Sequence, residues 1–201
     1  MKTEHKRSLL VAAIVVAGVL LDQAVKMYIV GHFQLYEDRP ITSWFHICYI
    51  LNDGMAFGVE WFDKLALTLF RMVAVGMLGW YLHVLIKKKP ARTSYLVTIA
   101  FVTAGAIGNI LDCVFYGPLF QNGQWMYGKV VDMLYFPLIR NGAGEVLFFR
   151  PVFNVADSYI TCAVIVIILF FTKDLNASLD KGVKELRSKG VKELRSKGVK
   201  E

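Results

Sequence analysis

The chain has 201 residues, 56% of them hydrophobic, and a formal charge of +7. Its mean hydropathy of +0.47 is too high for an ordinary soluble domain and points to surface that faces lipid. The cations gather in three places instead of lining one face, so the charge gives no reason to expect a nucleic-acid partner.

Taken in chain order, Lys2, Lys6 and Arg7 precede a first apolar stretch from Ser8 to Val30. That layout also describes a secretory signal peptide. The apolar character runs on past Asp22-Gln23, however, and no small-x-small cleavage site follows, so a retained helix is expected. Further stretches at Leu65–Ile86, Thr93–Tyr116 and Phe153–Thr172 are each of about 20 residues, the length that crosses a bilayer as helix. The expected fold is therefore an all-α membrane protein of four transmembrane helices, with one membrane domain over 1–172. Lys87, Lys88, Lys89 and Arg92 lie between spans 2 and 3, and more cations follow span 4, whereas the two long connections carry few. The positive-inside rule then sets both termini in the cytoplasm and both long loops outside.

The first long loop holds a β-branched and aromatic run, Ile41 to Leu51, followed by Asn52-Asp53-Gly54 and a second run, Met55 to Phe62. This is a hairpin pattern, read as a small extracytoplasmic β-hairpin cradle on the membrane surface. The second outer loop, Gly117 to Val152, is unusually apolar, and its Val130–Ile139 and Val146–Phe149 runs flank a turn at Asn141–Gly144. Trp125, Tyr127 and Tyr135 suit the interfacial zone.

Residues 173–201 form a basic tail in which Lys-Gly-Val-Lys-Glu-Leu-Arg-Ser repeats from Lys181 and from Lys189. A glycine every eight residues opposes a long helix. A solvated tail is the favoured reading and a lipid-attracted segment the other. Cys48, Cys113 and Cys162 show neither metal spacing nor a disulfide framework. They read as buried small hydrophobes, with a Cys48–Cys113 bridge as the weaker option. The scattered histidines form no ligand set, and neither a metal nor an organic cofactor is expected.

Ionisable residues inside spans are expensive and ask for a function. Topology sets Asp22, Asp112 and Asp157 near one level at the outer face, and Asp132, in the loop just before span 4, can reach that level too. Each has a structural alternative. Asp22 and Lys26 stand i, i+4 and can neutralise one another. Asn109 and Asp112 share a helix face, with Gly105 and Gly108 beside them for close packing. Asn154, Asp157 and Ser158 suit a helix N-terminus. Arg71, early in span 2, reads as snorkelling to lipid phosphate or pairing with an aspartate, the former preferred. Two close carboxylates that share a proton suit peptide hydrolysis. No Gly-x-Ser-x-Gly elbow or His-Glu-x-x-His helix competes with them. A small proton-coupled transporter is the alternative class.

At these residues the chain resembles the lipoprotein signal peptidases, the type II signal peptidases of bacteria. Asp22-Gln23-Ala24-Val25-Lys26 is similar to D-Q-x-x-K, and Asn52-Asp53-Gly54-Met55-Ala56-Phe57-Gly58 to N-x-G-x-A-F-G. Gly105 to Asp112 resembles G-x-x-G-N-x-x-D, while Val131-Asp132 and Phe153-Asn154-Val155-Ala156-Asp157-Ser158 match V-D and F-N-x-A-D-S. The resemblance implies an inner-membrane aspartic endopeptidase with Asp132 and Asp157 as the catalytic pair. Asn52, Gly54, Asn109, Asp112 and Asn154 would line the substrate groove. The implied substrates are diacylglyceryl-modified prolipoproteins, cut just before the lipidated cysteine, and the implied inhibitors are globomycin-type peptides. Membrane lipid is the surrounding partner. The pattern departs twice: Cys113 stands where the family usually has arginine, and the 24 residues between Asp132 and Asp157 exceed the usual spacing. Arg140 and Arg150 are the sequence candidates to replace the missing donor, and Cys113→Arg is expected to be tolerated.

Overall fold

The structure is a computed structural model, and it describes residues 3–54, 63–87, 91–142, 145–148, 151–178 and 180. Among the described residues, four helices are long and apolar enough to cross a membrane: Thr3–His32, Lys64–Lys87, Thr93–Phe120 and Val155–Ser178. Each contains one of the four expected spans, apart from the two residues before Val155 at the head of the fourth. The chain is a multi-pass membrane protein.

Helix α1 (Thr3–His32) and helix α2 (Lys64–Lys87) bury little of themselves. Leu20, Phe70 and Trp80 remain exposed on them, as lipid-facing side chains must. Helix α3 (Thr93–Leu111) is different, because half of its span's most apolar window is buried, against 17% for α1 and 11% for α2. It is the central helix, and its glycines make that possible. A methyl group at Gly105 would meet the Ala156 carbonyl, and one at Gly108 would meet the Asp22 carboxylate. Small residues let the backbones of neighbouring spans approach this closely.

After α3 the chain widens into one π-helical turn, Asp112–Tyr116, before the short helix α4 (Gly117–Phe120). The Cys113 and Val114 carbonyls accept from the Gly128 and Met126 amides, so the turn ties α3 to the loop that follows. Such π turns gather at functional sites. The fourth span starts as helix α5 (Val155–Val166), passes through a second π turn at Ile167–Phe171 and stays helical to Ser178. The repeats from Lys181 lie outside the described residues.

Among the described residues, six short strands cap one end of the bundle: β1 (Asp38–Pro40), β2 (His46–Asn52), β3 (Val130–Tyr135), β4 (Ile139–Arg140), β5 (Val146–Phe148) and β6 (Val152–Phe153). The first outer loop does hold a hairpin, on a turn earlier in the chain than Asn52–Gly54. Asp38–Pro40 pairs with His46–Cys48 around a turn at 41–45 in which the Ile41 and Thr42 amides donate to the Phe45 carbonyl. The return run, Met55 to Phe62, lies outside the described residues. The second expected hairpin is β4 paired with β5.

What the local pattern does not contain is the join between the loops. Strands β1, β2, β3 and β6 form one antiparallel sheet in that order, and Ile50 stands opposite Asp132. Its inner face packs Tyr49, Val131 and Met133 against Ile29 of α1 and Tyr116. The sheet thus fixes both outer loops to the heads of the spans.

Candidate active site

All four singled-out aspartates lie at the sheet end of the bundle, and three asparagines connect two of them. Asn52, at the end of β2, accepts the Gly54 amide on its Oδ1 at 2.7 Å. With the oxygen used, its Nδ2 faces the other way and donates to Asp132 Oδ2 at 2.8 Å. Asn154 caps α5, its Oδ1 accepting the Asp157 amide at 2.9 Å, and its Nδ2 donates to Asp132 Oδ1 at 2.7 Å. Asn109 accepts Lys26 Nζ at 3.0 Å and Asn154 Nδ2 at 3.1 Å, which leaves its own Nδ2 for Asp157 Oδ1 at 2.8 Å. In each case a fixed donor occupies the amide oxygen, so the NH₂ end must point at a carboxylate. Three amides thereby orient two aspartates.

The two carboxylates sit in unlike surroundings. Asp132 is buried, at 1% exposure. Burial pushes its carboxyl up to about 7, and the Asp157 charge adds to this, against the hydrogen bonds from Asn52 and Asn154 and the charge of Lys26. Asp157 is half-buried at the third position of α5. Its Oδ2 accepts the Asn154 amide at 3.3 Å, which completes a capping box. The structural reading of Asn154, Asp157 and Ser158 as an N-terminal network therefore holds. The cap is also what aims Asn154 at Asp132.

Behind this pair lies a second layer. Lys26 is completely buried and stands 2.9 Å from both Asp22 and Asp112. Asp22 also accepts the Ala156 amide at 2.9 Å, and Asp112 accepts the Val131 amide at 3.1 Å. One buried ion network thus holds the first turn of α5 and the residue beside Asp132. Gln23 donates to Asp112 and Asp22 and accepts from Tyr116. The Asp22–Lys26 pair does form, as its spacing allows, but Lys26 also reaches Asp112 and Asn109. Asp112 is fully enclosed, so its carboxylate supports β3 from below.

Arg71 does not run to the lipid surface. Its Nη1 donates to Cys113 Sγ at 3.0 Å and its Nη2 to the Gly54 carbonyl at 3.3 Å. The sequence reading missed this contact, although an arginine early in span 2 was the signal for it. Of its proposed replacements for the missing donor, Arg150 and the Arg140 side chain lie outside the described residues. Cys48 and Cys113 are buried and free, whereas Cys162, expected to be buried, is exposed on α5. Cys48 lies near His46 and Asp38, but burial pushes its thiol up to about 12, and it donates to Asp38 Oδ1 at 3.4 Å. That cluster offers no activated nucleophile.

Four spans capped by a sheet, with a polar site under the cap, define a membrane enzyme architecture. Two solved structures described as bacterial membrane enzymes, determined by the in meso method at 2.3 and 1.9 Å, share it. The first has a TM-score of 0.62 at 26% identity, over 82% of this chain and 88% of the other. The second has 0.61 at 25%, over 82% and 93%. A lipoprotein signal peptidase of Porphyromonas gingivalis is 36% identical over 194 residues, covering 85% of this chain and 86% of its own. One from Amoebophilus asiaticus is 32% identical over 192 residues, covering 86% and 80%. The family model for signal peptidase (SPase) II matches residues 14–173. The chain belongs to the signal peptidase II family and is a protease of the membrane.

Proposed function

We propose that this protease is an aspartic endopeptidase that removes signal peptides from diacylglyceryl-modified prolipoproteins just before the lipidated cysteine, with Asp132 and Asp157 as its catalytic pair. The observation that carries the reading is the amide network in which Asn52, Asn109 and Asn154 orient these two carboxylates toward one site. Asp157, half-buried in the first turn of α5, is the general base of the pair. Asp132, dry and raised to about 7, is the protonated one.

The chemistry follows from that asymmetry. Asp157 takes a proton from a water as its oxygen attacks the scissile carbonyl carbon. Asp132 gives its proton to the carbonyl oxygen, and a neutral gem-diol forms. Collapse returns a proton to Asp132 and delivers the one on Asp157 to the leaving amine. The pair ends as it began. Asn52, Gly54 and Asn109 border the substrate groove, whereas Asp112 and Asn154 hold the pair from behind.

The site lies at the sheet end, and Lys87 and Arg92 mark the opposite end of the bundle. We accordingly assign the sheet end to the outer face of the bacterial inner membrane, with both termini cytoplasmic. Acyl chains of the substrate then remain in lipid while its cleavage site meets the aspartates, and globomycin-type peptides would compete for the same groove. Cleavage of lipidated precursor by purified wild type, Asp132→Asn and Asp157→Asn tests the reading. Release of signal peptide by wild type alone is expected. Turnover by either Asn variant would remove the pair from the chemistry.

A further inference from the structure

We propose that Arg71 is a positioning residue for the peptidase site, acting through Gly54 and Asn52 on Asp132, an inference that rests on the catalytic reading above. A guanidinium early in a membrane span normally extends toward headgroups and water. Turning inward costs hydration, so its acceptors must compensate. Those acceptors are the buried Cys113 sulfur, in the π turn after α3, and the Gly54 carbonyl.

Gly54 needs such a hold. Its φ is +74°, in the left-handed region that glycine tolerates. Its peptide groups are fastened on both sides: the amide donates to Asn52 Oδ1 at 2.7 Å and the carbonyl accepts from Arg71. A methyl group at Gly54 would meet the Arg71 guanidinium, so the two are in direct contact. The amide bond is what uses up the Asn52 oxygen and aims Nδ2 at Asp132. Arg71 therefore fixes the turn that fixes the donor. Its own base is held, because Thr68, one turn earlier and fully buried, donates to the Met126 carbonyl at 2.9 Å. Among the described residues, Lys64 and Lys129 meet the same turn at Asp53, through its carbonyl at 2.6 Å and its carboxylate at 3.1 Å.

The test uses the full chain in detergent with lipidated precursor, comparing wild type with Arg71→Met, Arg71→Lys and Asn52→Ala across pH. Asp132 is faced by Asn52 from β2, Asn154 and Asp157 from the head of α5, and Lys26 from α1. Of these, only Asn52 is reached through Arg71. Its hydrogen bond favours the ionised carboxylate, so loosening it makes Asp132 keep its proton to higher pH. Arg71→Met should lower the rate at neutral pH by about tenfold or more, the scale of one charge-assisted hydrogen bond. It should also move the basic limb of the profile upward, as Asn52→Ala does. Arg71→Lys, with one donor group in place of a fork, should shift the limb in the same direction and less far. It decides the matter if the methionine variant does not insert. A wild-type rate, or a slower rate with the limb unmoved, overturns the inference. If wild type itself fails to cleave, the catalytic reading falls and this inference falls with it.

Discussion

Asn154 donates its side-chain amide to Asp132 at 2.7 Å while its carbonyl oxygen caps the helix that carries Asp157. One residue thus serves both aspartates with opposite ends of one amide. The two duties separate by substitution. Asn154→Ser keeps an N-cap oxygen but has no NH₂ to send to Asp132. Thermal stability in detergent should fall by less than for Asn154→Ala, which loses the cap at about 1 kcal/mol. Cleavage should fall sharply in both. Equal stability losses would mean that the cap contributes little here.

Lys26 is the cation whose removal should cost most. It is fully enclosed and stands 2.9 Å from each of Asp22 and Asp112. Lys26→Met leaves two buried carboxylates without their counter-ion, at a cost of about 3–5 kcal/mol. Adding Asp112→Asn should recover part of that loss, because one stranded charge disappears. Thermal unfolding of the single and double variants measures this. A double variant less stable than Lys26→Met alone would show that Asp112 is held chiefly by Gln23 and the Val131 amide.

Much of this arrangement is legible in the residues, and the rest is hidden for physical reasons. Span positions follow from apolar length, and the levels of Asp22, Asp112 and Asp157 follow from topology. Asp132 is harder. Its place depends on β3 pairing with β2, and Asn52 and Asp132 meet across 80 positions. Local propensity marks each strand but does not say which strands pair. The direction of Arg71 is hidden for another reason: snorkelling and inward-turned rotamers of one arginine share one sequence. The deep place of Asp112 likewise follows from Lys26 reaching three partners, where i, i+4 spacing suggests one.

Cys113→Arg illustrates the consequence. The sequence suggests that an arginine is welcome there. Cys113 is fully buried and already takes the Arg71 guanidinium on its sulfur. A second guanidinium would be overpacked and face a like charge, so the variant should lose about 2 kcal/mol or more of stability. Arg71→Met should restore much of it by vacating the place. Thermal unfolding of both decides. A Cys113→Arg protein as stable as wild type would mean that Arg71 swings out to lipid at little cost.

Asp132 should also make stability depend on pH. Its carboxyl is raised from 3.8 to about 7 by burial. The folded state therefore holds the proton more tightly than the unfolded chain. The resulting stabilisation is fully present below about pH 4 and is lost as pH rises through about 7. A loss on the order of a few kcal/mol is expected across that window. Asp132→Asn carries no titrating group, so its stability relative to wild type should improve between pH 5 and pH 8. Parallel unfolding curves for the two proteins over that range would place the proton elsewhere in the pair.

The catalytic pair itself makes the most demanding prediction. Asn is nearly isosteric with Asp but neither takes nor gives the catalytic proton. Asp132→Asn and Asp157→Asn should each stop turnover while leaving insertion and globomycin-type inhibitor binding largely intact. The double variant should be little slower than either single, because members of one catalytic unit are strongly non-additive. Asp22→Asn should behave differently. Its oxygen still meets the Ala156 amide, and the lost charge leaves Lys26 with Asp112, so only part of the activity or stability should go. Wild type should show a bell-shaped rate profile whose two limbs belong to the pair together. The basic limb should lie near the value of about 7 to which Asp132 is raised. Precursor cleavage across pH, with inhibitor binding as the control for folding, reads all of these at once. Multiplicative losses in the double variant would mean that the two aspartates act in separate steps and do not share one proton.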